Sequence, residues 1–289
     1  MGRRLVSFIL GVVLSVSCAL TGALAGALTV GLMPAAAEPV PQVSAAEAQA
    51  VVDTLIDLRQ RAFDATRSGN LSAAEDYWSQ LLELLPDEPA LWSNRGNIRI
   101  SQNKLNAAIA DYDRAIELAP DAPDAYLNRG AAYEAIGRWQ AAIADYNTLL
   151  KLTPDDVAAY NNRGNAKGGS GDWEAALADY RQAIAIAPNF ALARVNAGLA
   201  KYQLGQAKEA LRTFRNLVRK YRDFADARAA LTAVLWVNGQ QGEAESNWVS
   251  VIGLDSRYRD VNWVKTVRRW PPAMVKALEQ FLNLSAGSV

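Results

Sequence analysis

A period of 34 residues constrains this chain more than any other feature. Gly96, Gly130, Gly164 and Gly198 stand one period apart, and Ala108, Ala142, Ala176 and Ala210 keep the same step. So do Tyr112, Tyr146, Tyr180 and Phe214, while Pro120, Pro154 and Pro188 close three successive copies. The copy over 123–156 is the clearest. Its spacing predicts two antiparallel helices, with Gly137 between them free to take the left-handed conformation that stops the first. Gly130 and Ala142 go where the helices cross, Tyr146 fills the groove beside them, and Pro154 ends the second helix for want of a backbone donor. One such hairpin cannot cover its own apolar faces, so neighbours must stack.

Period, small residues, aromatic and closing proline together resemble the tetratricopeptide repeat. The resemblance implies an all-α fold, a right-handed superhelix (α-solenoid) of about six hairpins over 55–258 with a C-terminal capping helix pair in 259–289. The repeats are 55–88, 89–122, 123–156, 157–190, 191–224 and 225–258. The outer copies drift: the fifth has Arg222 in the proline slot, and the sixth has Thr232 for the crossing glycine and Ser256 for the proline. Beyond them, Arg259 to Arg269 is expected to form one helix and Pro271-Pro272 to start another, with Val275, Leu278, Phe281 and Leu282 on one face.

Residues 1–37 read as an export leader. Arg3 and Arg4 precede the uncharged run Leu5 to Met33, and Ala35-Ala36-Ala37 offers a small-residue cleavage site. The run is also long enough to span a bilayer, so residues 5–33 could remain as an N-terminal anchor. Either way the bulk of the chain is expected outside the cytosol, in the periplasm or a thylakoid lumen. Residues 38–54 form a linker and helix extension, opened by Ser44 and Glu47 as a capping box.

Composition narrows the chemistry. There is no histidine and a single cysteine, Cys18, inside the leader. The commonest general base, the commonest zinc ligand and any thiol nucleophile in the folded part are therefore missing. The sequence gives no reason to expect an enzyme, a cofactor or a metal site. The chain is neutral overall, with 30 basic and 30 acidic residues, but unevenly so. Residues 38–150 carry 9 basic and 17 acidic side chains, and 151–289 carry 19 and 13.

In repeats of this kind the first helix lines the concave face. Its sixth position is Asn94, Asn128, Asn162 and Asn196, and Asn97, Asn161 and Asn165 add amides nearby. The pattern resembles the asparagine ladder of the O-linked N-acetylglucosamine transferase superhelix, which holds extended peptides by their main chain. An amide offers one acceptor and two donors, the complement of a peptide backbone. The expected partner is an extended protein segment. The carboxylate clamp that grips chaperone C-termini is not expected, because the equivalent positions carry no lysine or arginine.

In repeats five and six the concave slots turn apolar: Val195, Leu199, Tyr202, Ala229, Ala233, Trp236 and Val237. Two readings stand: a binding strip that extends the groove through Tyr202 and Trp236, or core covered by the C-terminal helices. The second is preferred. Gly168 and Gly169 mark a notch, a hinge or a loose helix end between the two stretches. Arg95, Arg129 and Arg163 recur with Asp111, Asp145 and Asp179, which predicts ion pairs between helices. Arg212, Arg215, Arg219 and Arg222 form a basic stripe on an outer helix, able to meet an anionic membrane or an acidic partner; nucleic acid is not expected. The layout resembles exported repeat proteins of cyanobacteria and the chloroplast lumen. It implies a non-catalytic interaction scaffold or assembly factor, with a membrane-tethered structural component as the alternative.

Overall fold

Helix starts and stops are set locally. The Glu47 amide donates to Ser44 Oγ at 3.2 Å while the Ser44 amide donates to the Glu47 carboxylate at 2.9 Å, the reciprocal capping box. It opens α1 (Ala45–Arg67). The computed structural model describes residues 44–285, so the leader and its fate lie outside the described residues. Hairpins follow at the sequence period: α1 with α2 (Leu71–Leu84), then α3 (Pro89–Ser101) with α4 (Leu105–Leu118). The chain divides after Pro120 into two compact blocks. The second holds α5 (Pro123–Ala135), α6 (Trp139–Leu152), α7 (Val157–Gly169), α8 (Trp173–Ile186), α9 (Ala191–Gln203), α10 (Ala207–Lys220), α11 (Ala225–Val237) and α12 (Gln241–Leu254).

Pro89 and Pro123 occupy first helical positions, where a missing donor costs nothing. Gly137 takes φ +74° in the turn, and Asn103 takes φ +60° in the same slot one repeat earlier, since asparagine tolerates the left-handed region. The crossing glycines have a steric cause. A Cβ on Gly130 would lie 2.7 Å from the Tyr146 ring, one on Gly164 2.6 Å from Tyr180, and one on Gly198 2.6 Å from Phe214. The ring occupies the volume a side chain would need.

The arginine–aspartate pairs close within each repeat. Arg95–Asp111, Arg129–Asp145 and Arg163–Asp179 each make two bonds of 2.6–3.1 Å. The same guanidiniums reach the preceding hairpin, Arg95 to Ser79 Oγ at 3.2 Å and Arg163 to Asn147 Oδ1 at 2.8 Å. Desolvation offsets most of the attraction in such pairs, but breaking one leaves a buried charge at a cost of about 3–5 kcal/mol. They fix register.

Block one packs Trp78, Leu81 and Leu82 against Ala62, Leu91 and Ile98. The largest core of block two lies at the C-terminal end. There α14 (Pro272–Ser285) packs on α11 and α9, placing Met274, Leu278 and Phe281 against Val195, Leu199, Ala229 and Ala233. The apolar strip of repeats five and six is thus covered, with Tyr202 and Trp236 half-buried at its edge and only Val237 left exposed.

The single helix expected over 259–269 is not found. Instead a 3₁₀ turn (Ser256–Arg259) is followed by a six-residue helix, α13 (Val261–Thr266). Asp260 lies between them and restarts the helix, its side chain accepting from the Trp263 amide at 3.1 Å. The chain then turns at Arg269, whose φ is +52°.

Candidate functional site

The amides of α7 and α9 gather into one cluster. Asn196 Nδ2 donates to Asn161 Oδ1 at 3.0 Å and to Asn165 Oδ1 at 3.2 Å, and Asn161 Nδ2 donates to Asn162 Oδ1 at 3.2 Å. Helical spacing puts Asn161, Asn162 and Asn165 on neighbouring faces of α7, and hairpin stacking brings Asn196 alongside. Together they line a cavity of about 300 Å³. Its other side is the segment that joins α13 to α14, through Val267, Arg268, Arg269 and Pro271. The protein's own chain therefore lies across part of the wall.

That segment is fastened at several points. Arg268 pairs with buried Asp226, which also accepts from the Tyr258 hydroxyl. Gln203 Oε1 accepts from the Ala273 amide at 2.8 Å, anchoring the first turn of α14 to α9. Arg269 reaches Glu134 at 3.3 Å and lies 5.8 Å from the Trp139 ring centroid.

Part of the amide chemistry is already committed. Tyr180 donates its hydroxyl to Asn165 Oδ1 at 3.0 Å, and in block one Tyr112 donates to Asn97 Oδ1 at 2.7 Å. Asn97 and Asn165 therefore satisfy buried tyrosines, and Asn165 lines the cavity as well. Asn94 and Asn128 are half-buried and, among the described residues, make no side-chain hydrogen bond. Tyr202 and Trp236 need correcting as open groove residues: both pack on the C-terminal core, Trp236 edge-on to Phe281 at 5.2 Å between centroids. The apolar face of α14 covers them because leaving it in water would forfeit its burial.

Gly168 and Gly169 are the last two residues of α7 and form a notch at its end. A Cβ on Gly168 would lie 2.7 Å from the Trp173 ring, and one on Gly169 2.8 Å from Trp139. Beside them opens a slot of about 510 Å³ lined by Trp139, Trp173, Glu134, Lys265, Arg269 and Trp270, among others. Sequence reading missed this slot. Its signal was there: Trp139 and Trp173 stand one period apart, and the residue one repeat before Asn165 is Ala131. With no amide in that place, the Tyr146 hydroxyl donates instead to Glu134, at 2.5 Å. Burial pushes the Glu134 carboxyl up to about 7, against the opposing pull of the Tyr146 hydroxyl and Arg269.

On α10, Arg215 pairs with Glu243 at 2.6 Å, Arg219 donates to Asn216 at 3.2 Å and Arg212 is exposed; Arg222, expected on the same helix, lies exposed in the turn beyond it, because the helix ends at Lys220. Among the described residues no helix is long and apolar enough to cross a membrane, and no group of three or more His, Cys, Asp or Glu side chains could hold a metal.

This geometry is that of a tetratricopeptide-like solenoid of helical hairpins. The family profile described as TPR repeat matches residues 96–137, 135–169 and 170–205, and the one described as Tetratricopeptide repeat matches 192–223. A tetratricopeptide repeat protein from Parabacteroides merdae superposes with a TM-score of 0.65 at 20% identity, over 81% of this chain and 99% of its own. MamA from Desulfovibrio magneticus RS-1 does so with 0.57 at 19% identity, over 60% and 97%. A further MamA structure gives 0.54 at 23% identity, over 59% and 93%. Comparison with functionally curated proteins gave no match. A fold of this class fits a protein-interaction scaffold.

Proposed function

We propose that the chain is a non-catalytic interaction scaffold that takes an extended polypeptide segment along the amide face of α7 and α9. One observation carries the reading: four asparagines converge on a single cavity whose opposite wall is already polypeptide, the segment around Arg268 and Arg269. A surface that accommodates its own chain in this way is suited to main chain in general, because amides pair with peptide N–H and C=O groups of any sequence. The leader over 1–37 supports export to a periplasm or lumen, whether it is removed or kept as an anchor. The test is capture of partners from the exported fraction. Asn128→Ala with Asn162→Ala is expected to lose them while keeping the circular dichroism and melting of the wild type. Undiminished capture would overturn the reading.

A second reading rests on the exposed Arg212 of α10 and Arg222 of the turn that follows it, which offer cationic contacts to an anionic membrane. Two of the four arginines of the stripe are engaged within the protein, which weakens it. Sedimentation with phosphatidylglycerol vesicles decides it.

A further inference from the structure

Arginine–carboxylate contacts in block two differ in how firmly they seat the cation, and two kinds contrast around the amide face. In Arg129–Asp145 and Arg163–Asp179 each guanidinium makes two short bonds and its side chain is 18% exposed. Arg269–Glu134 is a single contact at 3.3 Å, with Arg269 40% exposed and Glu134 7%. The first kind holds hairpins together. The second joins a buried carboxylate to a loosely seated cation on a left-handed backbone, φ +52°, which a non-glycine residue adopts at a cost.

The surroundings of Glu134 are those of a cation receptor. The Trp139 indole presents a π face to the guanidinium, and cations are drawn to such faces within about 6 Å. Gly169 lets that indole lie directly on the helix backbone, where any side chain would collide. Trp173 stands on Gly168 in the same slot. Tyr146 donates to one oxygen of Glu134, leaving the other for Arg269. Trp270 also lines the slot, and its buried indole N–H has no partner among the described residues. About 510 Å³ remains beside Arg269, room for more than the side chain now present.

We propose that this slot is a receptor for an arginine side chain carried by the partner's extended segment, and that Arg269 is its resident stand-in. The proposal rests on the groove reading above and names the partner's chemistry: an extended segment with an arginine placed to reach past the amides. A planar guanidinium suits both elements, stacking on the indole and donating to the carboxylate at once. Binding then requires Arg269 to leave, so the apparent affinity is lowered by the fraction of molecules in which it is displaced.

The experiment uses the full chain and a fluorescein-labelled nonapeptide with the sequence of residues 265–273, supplied in trans. A second peptide carries citrulline, the neutral isostere, at the place of Arg269. In polarisation titrations the arginine peptide is expected to bind Arg269→Ala about tenfold more tightly than wild type. The citrulline peptide should lose about tenfold on the same host, and Glu134→Gln should erase the difference between the two peptides. Equal binding of both peptides to Arg269→Ala overturns the slot. If that equal binding is weakened by Asn162→Ala, the groove reading survives without it. No binding of either peptide to Arg269→Ala also overturns the slot, while capture of partners through the asparagines tests the groove independently.

Discussion

The concave face of block two is used in two ways along its length. On α11 and the C-terminal half of α9, positions that point inward carry Ala229, Ala233, Trp236 and Leu199, and α14 seals them into core. On α7 and the N-terminal half of α9 the equivalent positions carry asparagines, and only the segment ahead of α14 crosses them. The scaffold is the same in both. What differs is the cost of leaving the surface open: apolar area demands a permanent cover, whereas amides are satisfied by water, by one another or by a visiting chain. The sealed half is therefore structural, and the amide half is where exchange can occur.

The comparison is broken most severely by Phe281→Ala. Phe281 is 1% exposed and lies edge-on to Trp236 and Trp248, with centroids 5.2 and 5.1 Å away. Removing the ring should cost about 4 kcal/mol in denaturant unfolding. Hydrogen exchange should rise in α11 and α14 and hardly at all in α5 and α6. A uniform rise would mean that the two halves are one cooperative element.

Glu134 sharpens the comparison through pH. Its ordinary value of 4.5 is raised to about 7 in the fold. The folded state holds the proton more tightly, so this group's contribution is complete below pH 4.5 and is lost as pH rises through 7. The span corresponds to about 3 kcal/mol at ~1.4 kcal/mol per unit. Glu134→Gln should remove that loss and flatten the stability profile between the two values. The local effect runs the other way. Only the ionised carboxylate attracts Arg269, so protection of the amides over 267–270 should increase as pH passes 7. Tyr146, Tyr180, Arg269 and Lys265 face or neighbour Glu134; Tyr146 and Tyr180 have hydroxyls raised by burial, leaving Glu134 as the group that titrates there. Protection that falls over the same window would contradict the ion pair as the fastening.

The smallest change in fold is expected from Arg212→Ala on α10 with Arg222→Ala in the turn after it, both exposed. Stability should move by less than about 0.5 kcal/mol. Vesicle sedimentation is the informative readout: loss of binding would favour the membrane reading, and no change would leave the convex face as solvated surface.

Much of this was legible from residue spacing. The hairpin positions, the crossing glycines under Tyr146 and Tyr180, the capping box at Ser44 and the pairing of Arg129 with Asp145 all follow from local rules repeated every 34 residues. Gly168 and Gly169 were legible only as an anomaly, because the rings that need their space come from Trp173 and from Trp139 one repeat away. The slot itself was not legible. Arg269 meets Glu134 across 135 positions, and no periodic pattern connects residues so far apart.

The sequence by itself determined the repeating hairpin, since short-range sterics and a fixed period decide where helices start, cross and stop. Only the tertiary structure decided which part of the concave face is core and which is wall. That depends on where a non-repeating tail lands, and the tail is placed by burial of Met274, Leu278 and Phe281 against distant residues. Hydrophobic packing of this kind is non-directional and leaves no spacing to read.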